Sequence, residues 1–225
     1  MTVGTRGDGA AAAEGRDLST AVEIVLLLTF LSLLPPLLLT VTCFSRVVIV
    51  LSFVRQAMST PQLPPNPVLI GLALFLSGAV MAPTGRAIHA KAISPYLEGQ
   101  IGFVEATDHA SIELKQFLLR HARESDLALF MELSDTAPVE GPAELPLVVA
   151  VPAFVVSELR TAFQMGFVLY LPFLVIDLVV SSILLAMGMY MLPPMLVATP
   201  LKILLFVLVD GWGLVIQQLW RGFTT

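Results

Sequence analysis

The sequence predicts an all-α protein, built from membrane-associated helical hairpins, and its composition is the first reason. Of its 225 residues, 56% are hydrophobic and only 13% are charged, and its mean hydropathy is +0.88. In soluble domains about a quarter of the residues are charged. This chain therefore cannot cover a globule of its size with charge, and we expect an integral membrane protein or an obligate assembly.

The second reason is a series of four long apolar runs, at 21–54, 67–82, 145–192 and 196–220. A helix that crosses a bilayer needs about 20 consecutive apolar residues. Four spans are therefore expected, two of them imperfect, with the first run interrupted at Pro35–Pro36. Each half of the chain also contains an LPP sequence before a new apolar run, which is the pattern of two hairpins with a double proline at each tip.

These features divide the chain into four parts. Residues 1–20 are rich in Gly and Ala, lack periodicity and do not have the pattern of a signal peptide, so we predict a disordered tail. The first hydrophobic hairpin is predicted at 21–83 and the second, with a Met-rich loop, at 145–225. A polar segment at 84–144 separates them.

The polar segment contains all three histidines and ten of the seventeen acidic residues. Between 111 and 134, apolar side chains recur at three-to-four spacing, which predicts an amphipathic helix. The connector between the first two runs carries Arg55 and no acid. This weakly favours a cytoplasmic connector and an extracytoplasmic segment 84–144.

Six ionisable side chains lie within the apolar runs: Arg46, Glu158, Arg160, Asp177, Lys202 and Asp210. A lipid-facing charge at a helix centre costs about 2.5–3.5 kcal/mol on insertion scales. These side chains must therefore pair, reach the interface, or lie at a protein or aqueous boundary. We favour structural pairing, with Glu158 and Lys202 as the first candidates. The rival hypothesis is a proton or ion relay along Asp177 and Asp210.

The sequence offers little for catalysis or cofactor binding. The histidines are twelve or more positions apart, so a zinc site is improbable and solvated side chains are expected. Hydrolase and phosphate-binding motifs are absent. We expect no enzyme activity, no cofactor, no metal and no nucleic-acid partner. Gly71, Gly78 and Gly85 are seven apart, which usually indicates close helix packing.

The sequence MGMYMLPPM (187–195) concentrates four methionines beside two prolines. The methionines could be core filler, a Cu(I) site, or a flexible apolar wall around an opening. Cu(I) sites usually add Cys or His, and neither is nearby. The residue before a proline is disfavoured in the α region. The preceding helix should therefore end near Leu192, which places Met189–Met191 in its last turn or in a loop.

Several long strings resemble the FliP/SctR family of bacterial type III export-gate proteins. They are EGPAELPLVVAVPAFVVSELRTAFQMGFVLYLPFLVIDLVVSSILLAMGMYMLPP (140–194), TPLKILLFVLVDGW (199–212), FLLRHARESDLALF (117–130) and the stretch from CFSRVVIVLSFVRQAM to MAP (43–83). The resemblance covers most of 22–221. The 84–144 segment resembles the flagellar branch of the family more than the virulence (injectisome) branch. A subunit of an injectisome export gate is therefore the alternative hypothesis, and an ion-coupled transporter is a third, less favoured one.

The resemblance implies a subunit of the flagellar export gate, which conducts unfolded flagellar proteins across the inner membrane. It implies a homo-pentamer with FliQ and FliR, associated with FlhB, near FlhA and in contact with lipids. The assembled gate would lie at the flagellar basal body, mainly on the periplasmic side. The family's methionine constriction maps onto Met189, Tyr190 and Met191, with Met187 beside it, and an intersubunit acid–base contact maps onto Glu158 and Lys202. Tyr190 departs from an all-methionine pattern.

Overall fold

The computed structural model describes residues 24–135 and 144–224, except 26, 30, 34, 37 and 38. In this part of the chain the regular elements are helices, which confirms the predicted all-α class. The chain divides into two compact units, Met1–Leu39 and Thr40–Thr225. In the first unit, the described residues from 24 to 36 are helical and are named α1. The predicted tail, 1–20, lies outside the described residues.

The second unit contains the remaining helices. They are α2 (Phe44–Ala57), α3 (Asn66–Ile88), a π-helical turn (His89–Ile93), α4 (Ser94–Leu97), α5 (Phe103–His121), α6 (Glu124–Leu133), α7 (Leu147–Ala186), α8 (Pro194–Leu208) and α9 (Gly211–Thr224). Proline directly precedes three apolar helices, α3, α7 and α8, at Pro65, Pro146 and Pro193. Its fixed φ suits the start of a helix, and its missing N–H loses no helical hydrogen bond there.

Helix α2 lies at the centre of the second unit. Its buried Val47, Val50, Leu51 and Val54 form the main core with residues of α3, α7, α8 and α9. A smaller apolar cluster joins α5 to the first turns of α7 through Phe117, Leu118, Ala150 and Phe154. A third joins α7 to α8 around Val180, Leu184 and Ala198. The polar segment therefore packs on one end of α7, and the α7–α8 hairpin closes at the other.

Helices α2 and α7 are in tight contact at Gly166. A Cβ atom placed there would lie 2.4 Å from Cδ2 of Phe53, so any larger residue would require the Phe53 ring to move. The glycines singled out by their spacing behave differently. A Cβ atom on Gly71, Gly78 or Gly85 would meet nothing within 4 Å. The expectation of close packing at these three positions is therefore wrong within one chain, because α3 turns this stripe away from its neighbours.

Two helical segments are long and apolar enough to cross a membrane, Asn66–Leu97 and Leu147–Ala186. Helices α8 and α9 form a third candidate if taken as one span bent by 64°. A count of four spans was expected, but the first run includes residues outside the described part of the chain. Within that run Pro35 and Pro36 are helical and a break lies at Thr42–Cys43, while the neighbours of the prolines at 34, 37 and 38 lie outside the described residues.

The amphipathic segment differs from its prediction in one respect. A single helix was expected over 111–134, whereas α5 ends at His121 and α6 begins at Glu124. The break has a tertiary cause. The backbone N–H of Arg123 donates to Ser157 Oγ on α7 at 2.9 Å instead of continuing the helical ladder. The segment thereby folds back along α7.

Candidate functional site

The methionine sequence forms the loop between α7 and α8, and the helix before it ends earlier than predicted. The last residue of α7 is Ala186 rather than one near Leu192, because Gly188 adopts a left-handed conformation with φ +76°. The N–H of Met187 still donates to Ile183 O, while those of Gly188 and Met189 turn back to Leu185 O and Leu184 O. This is the usual glycine-terminated helix end. Pro193 and Pro194 do not end α7; they lie at the start of α8.

The loop side chains face away from their own chain. Tyr190 is 78% exposed and Met191 96% exposed, with Met187 and Met189 also well exposed. Methionine is a common filler of cores, but in this chain none of these four is buried. The loop residues from Gly188 to Leu192 surround a shallow depression of about 370 Å³.

The base of the loop is held by packing. Val180 and Leu184 on α7 are buried against Ala198 on α8, and Leu192 packs on the same cluster. The hairpin therefore forms a well-packed stem with flexible apolar side chains exposed at its tip. Cys and His do not accompany the thioethers, and no group of three or more His, Cys, Asp or Glu side chains suited to a metal ion occurs among the described residues.

The most deeply buried ion pair joins Arg46 on α2 to Glu158 on α7. Arg46 Nε donates to Glu158 Oε2 at 2.8 Å, and Nη2 donates to Oε1. Arg46 Nη1 donates to Gly222 O on α9 at 2.9 Å, and its guanidinium lies 3.9 Å from the ring centroid of Phe223. The pair thus ties three helices together at one point.

A second pair joins Lys202 on α8 to Asp177 on α7. Lys202 Nζ donates to Asp177 Oδ2 at 2.6 Å and to Ser59 Oγ at 2.9 Å. Lys202 is 1% exposed, whereas the side chain of Asp177 is 40% exposed. Water therefore reaches the acid but not the amine.

Within one chain, the expected pairing of Glu158 with Lys202 is therefore wrong. Glu158 lies nineteen residues before Asp177 on the same helix, a separation of about 28 Å along the axis. Helix α8 returns only along the second half of α7, so Lys202 contacts Asp177 and Arg46 takes Glu158. A contact between Glu158 and Lys202 of different subunits stays a prediction.

The other two charged side chains of the apolar runs have different surroundings. Arg160 lies 3.2 Å from Asp126 of α6, which is 1% exposed and also accepts from Ser157 Oγ at 2.7 Å. Asp210 lies at the exposed corner between α8 and α9 with φ +50°. Aspartate tolerates this left-handed conformation better than most residues. Asp210 is therefore part of a bend rather than of a continuous helix.

Sequence reasoning missed several partners of these charges. Ser59, Asp126 and Gly222 lie outside the apolar runs or offer only a backbone carbonyl, and their spacing gives no signal. The expectation that His121 is solvated is also wrong. Its ring lies among Phe117 and Phe223, at centroid distances of 4.5 and 5.8 Å, and is only partly exposed. Its place on the apolar face of the amphipathic helix was the available signal.

Comparison with known proteins assigns the family. The model of the FliP family matches residues 27–219. Flagellar biosynthetic protein FliP of Bacillus subtilis is 49% identical, over 92% of this chain and 94% of the relative. Its counterpart in Pectobacterium carotovorum is 46% identical, over 93% and 81%, and that of Aquifex aeolicus is 45% identical, over 92% and 87%. The match extends through the ion pairs and the methionine loop, and the chain belongs to the FliP family.

Proposed function

We propose that this protein is a subunit of the flagellar protein-export gate and forms part of the channel through which unfolded flagellar proteins cross the membrane. Relatives that match almost the whole chain are named flagellar biosynthetic proteins. The two apolar helices long enough to span a bilayer support a membrane location. The proposal includes a location in the bacterial inner membrane, with the assembled gate largely on the periplasmic side.

The observation that carries the proposal is the exposed Met189–Tyr190–Met191 loop on a packed stem. A soluble monomer rarely leaves such a group of large apolar side chains in water. Several copies around an axis would bring these loops together as a ring. Thioether side chains are flexible and polarisable, so the ring would exclude ions at rest and yield to a passing polypeptide.

The same reasoning favours an assembly over a single chain. Only 17% of the most apolar window of each spanning helix is buried within the chain. The remaining faces are available to lipid, to further copies and to small helical partners. We propose a homo-pentamer that associates with FliQ and FliR, with FlhB and FlhA nearby. In this role the protein conducts polypeptides and has no enzymatic activity of its own.

The ion-relay hypothesis has less support. Asp177 accepts a hydrogen bond from Lys202 Nζ at 2.6 Å, so this acid has a structural role in joining α7 to α8. Asp210 lies beyond the end of α8, at the bend before α9, whereas Asp177 lies on α7. Among the described residues, the hydrogen bonds and ion pairs of Asp177 do not lead to Asp210.

Conductance of the reconstituted assembly tests the proposal. Replacing Met189, Tyr190 and Met191 together with Ala should raise ion leak through the gate, since the ring loses its side chains. The matched control replaces Leu97, Phe103 and Val104 with Ala. These three are also exposed apolar residues, at 75%, 66% and 72%, but lie in the polar segment. Equal conductance of the loop variant and the unmodified assembly would refute the loop as the seal.

The native mass of the purified chain, alone and co-expressed with its partners, tests the assembly separately. A defined ring is expected. A chain that stays monomeric under both conditions, yet moves ions in liposomes, would favour the transporter hypothesis instead.

A further inference from the structure

A pocket of about 550 Å³ lies between α3, α5 and α9, away from the methionine loop. Its apolar wall is the α3 segment from Ala79 to Pro83 together with the rings of Phe117 and Phe223. Thr84, Arg120, His121 and Trp220 form the rest of the lining. Such a volume, with one apolar wall and a few polar groups, is typical of sites for small amphiphilic molecules.

The charge of the pocket is positive. Arg120 is exposed, and it takes part in none of the four ion pairs found among the described residues. None of the described residues that line the pocket is acidic. Glu158 is near enough to His121 to interact with it electrostatically, but its charge is balanced by Arg46. An anion in the pocket would therefore meet the Arg120 guanidinium, which binds phosphate oxygens in a bidentate geometry.

His121 forms a fixed part of the pocket wall beside Arg120. Its Nδ1 lies 2.9 Å from Phe117 O, and its Nε2 lies 3.5 Å from Phe223 O. Both ring nitrogens therefore face backbone carbonyls at the ends of α5 and α9. The ring shapes the pocket, and Arg120 is the side chain left to contact an anion.

The position of the pocket along α3 indicates what kind of anion it takes. The apolar run of this helix ends at Ala82 and is followed by Pro83, Thr84, Gly85 and Arg86. The pocket extends across this boundary, so one side continues an apolar helix face and the other begins the polar segment. Trp220 stands at the same level. Tryptophan is enriched at this level in membrane proteins, where apolar chains meet headgroups.

We propose that this pocket binds the phosphate headgroup of an anionic phospholipid. Arg120 contacts the phosphate, and the acyl chains lie along the α3 wall beside Ala79 and Val80. Basic pockets between membrane helices bind anionic lipid headgroups in this way. The site is separate from the polypeptide channel and does not depend on it.

Tryptophan fluorescence tests the proposal directly. The chain contains two tryptophans, and replacing Trp212 with Phe leaves Trp220 as the single reporter in the pocket. The purified variant is titrated in detergent with phosphatidylglycerol or phosphatidylcholine carrying brominated acyl chains. Since one basic contact near a membrane surface favours an anionic lipid by about fivefold, half-maximal quenching should need about one fifth as much phosphatidylglycerol. Equal quenching by the two lipids would overturn the proposal.

Variants in the same background assign the contact. Arg120→Gln should remove the preference for phosphatidylglycerol, while Arg120→Lys should retain part of it. Arg55→Gln is the matched control, because Arg55 bonds to Asn66 at the opposite end of α3. Persistence of the full preference in Arg120→Gln would refute the assigned residue. Millimolar inorganic phosphate should not relieve the quenching. Full relief would identify a site for free phosphate and overturn the lipid assignment.

Discussion

Arg46 and Glu158, which are 112 positions apart in sequence, form an ion pair with two hydrogen bonds in the interior of the second unit. The side chain of Arg46 is 4% exposed and that of Glu158 is fully buried. Two charges removed from water are tolerated only when each satisfies the other. The pair therefore specifies how α2 packs against α7, and through Gly222 O it also places α9.

Loss of one partner should destabilise the fold more than loss of both. Glu158→Gln or Arg46→Met leaves a buried charge without its counter-ion, and such changes cost about 3–5 kcal/mol. The double variant Arg46→Met/Glu158→Gln should recover a substantial part of that loss. The measurement is the free energy of unfolding in detergent, combined as a double-mutant cycle. Purely additive effects would show that the two side chains do not interact.

Gly166 and Gly78 should respond in opposite directions to the same substitution. Gly166→Ala places a Cβ atom against Phe53, and overpacking of this kind costs about 1–3 kcal/mol. Gly78→Ala meets nothing within 4 Å, and replacing glycine by alanine inside a helix gains up to about 1 kcal/mol. Thermal unfolding of the isolated chain compares them. Adding Phe53→Leu to Gly166→Ala should restore part of the lost stability, because the smaller side chain makes room for the Cβ atom. No gain in stability would count against the contact.

The helical class follows from the sequence because it rests on composition and run length, which do not depend on tertiary contacts. The long apolar runs at 67–82 and 145–192 correspond to α3 and α7. The helix ends depend on finer geometry. Proline was expected to end α7 near Leu192, but Gly188 reaches the left-handed conformation first and ends it at Ala186. The break between α5 and α6 depends on Ser157, which a local pattern does not contain.

For the charged residues, the sequence predicts that partners are needed but not which residues they are. The free-energy cost of a charge in an apolar run indicates the need for a partner, and five of the six side chains have an ionic partner in the described part of the chain. The identity of each partner depends on which halves of the helices meet. Glu158 and Asp177 are both chemically suitable partners for Lys202. Lys202 pairs with Asp177 because α8 packs along the second half of α7.

Charge exchange should separate the pairing within one chain from a pairing between subunits. Asp177→Lys or Lys202→Asp alone should destabilise the isolated chain by about 2 kcal/mol, the scale of a hydrogen bond to a charged group. Exchanging the two residues should restore part of the stability. Unfolding of the isolated chain is the readout. No recovery on exchange would contradict the pair seen here.

The exchange of Glu158 with Lys202 has a different expected result. It should not restore the stability of the isolated chain, because Arg46 would then face a lysine in the interior. If these residues also meet between subunits, the exchange should partly restore the yield of assembled rings, measured by native mass, relative to either single reversal. Rings as scarce as in the single variants would count against the intersubunit contact.

Gly188 offers a test of the loop that removes none of its large side chains. Its φ of +76° suits glycine and, less well, asparagine. Gly188→Ala should cost about 1–2 kcal/mol for a left-handed residue with a Cβ atom, or else let α7 continue and turn Met189 and Met191 to opposite faces. Either response disturbs a ring that depends on loop direction. Gly188→Ala should therefore raise the conductance of the reconstituted gate, with Gly188→Asn much closer to the unmodified protein. If both variants conduct equally and assemble normally, the direction of the loop does not determine the seal.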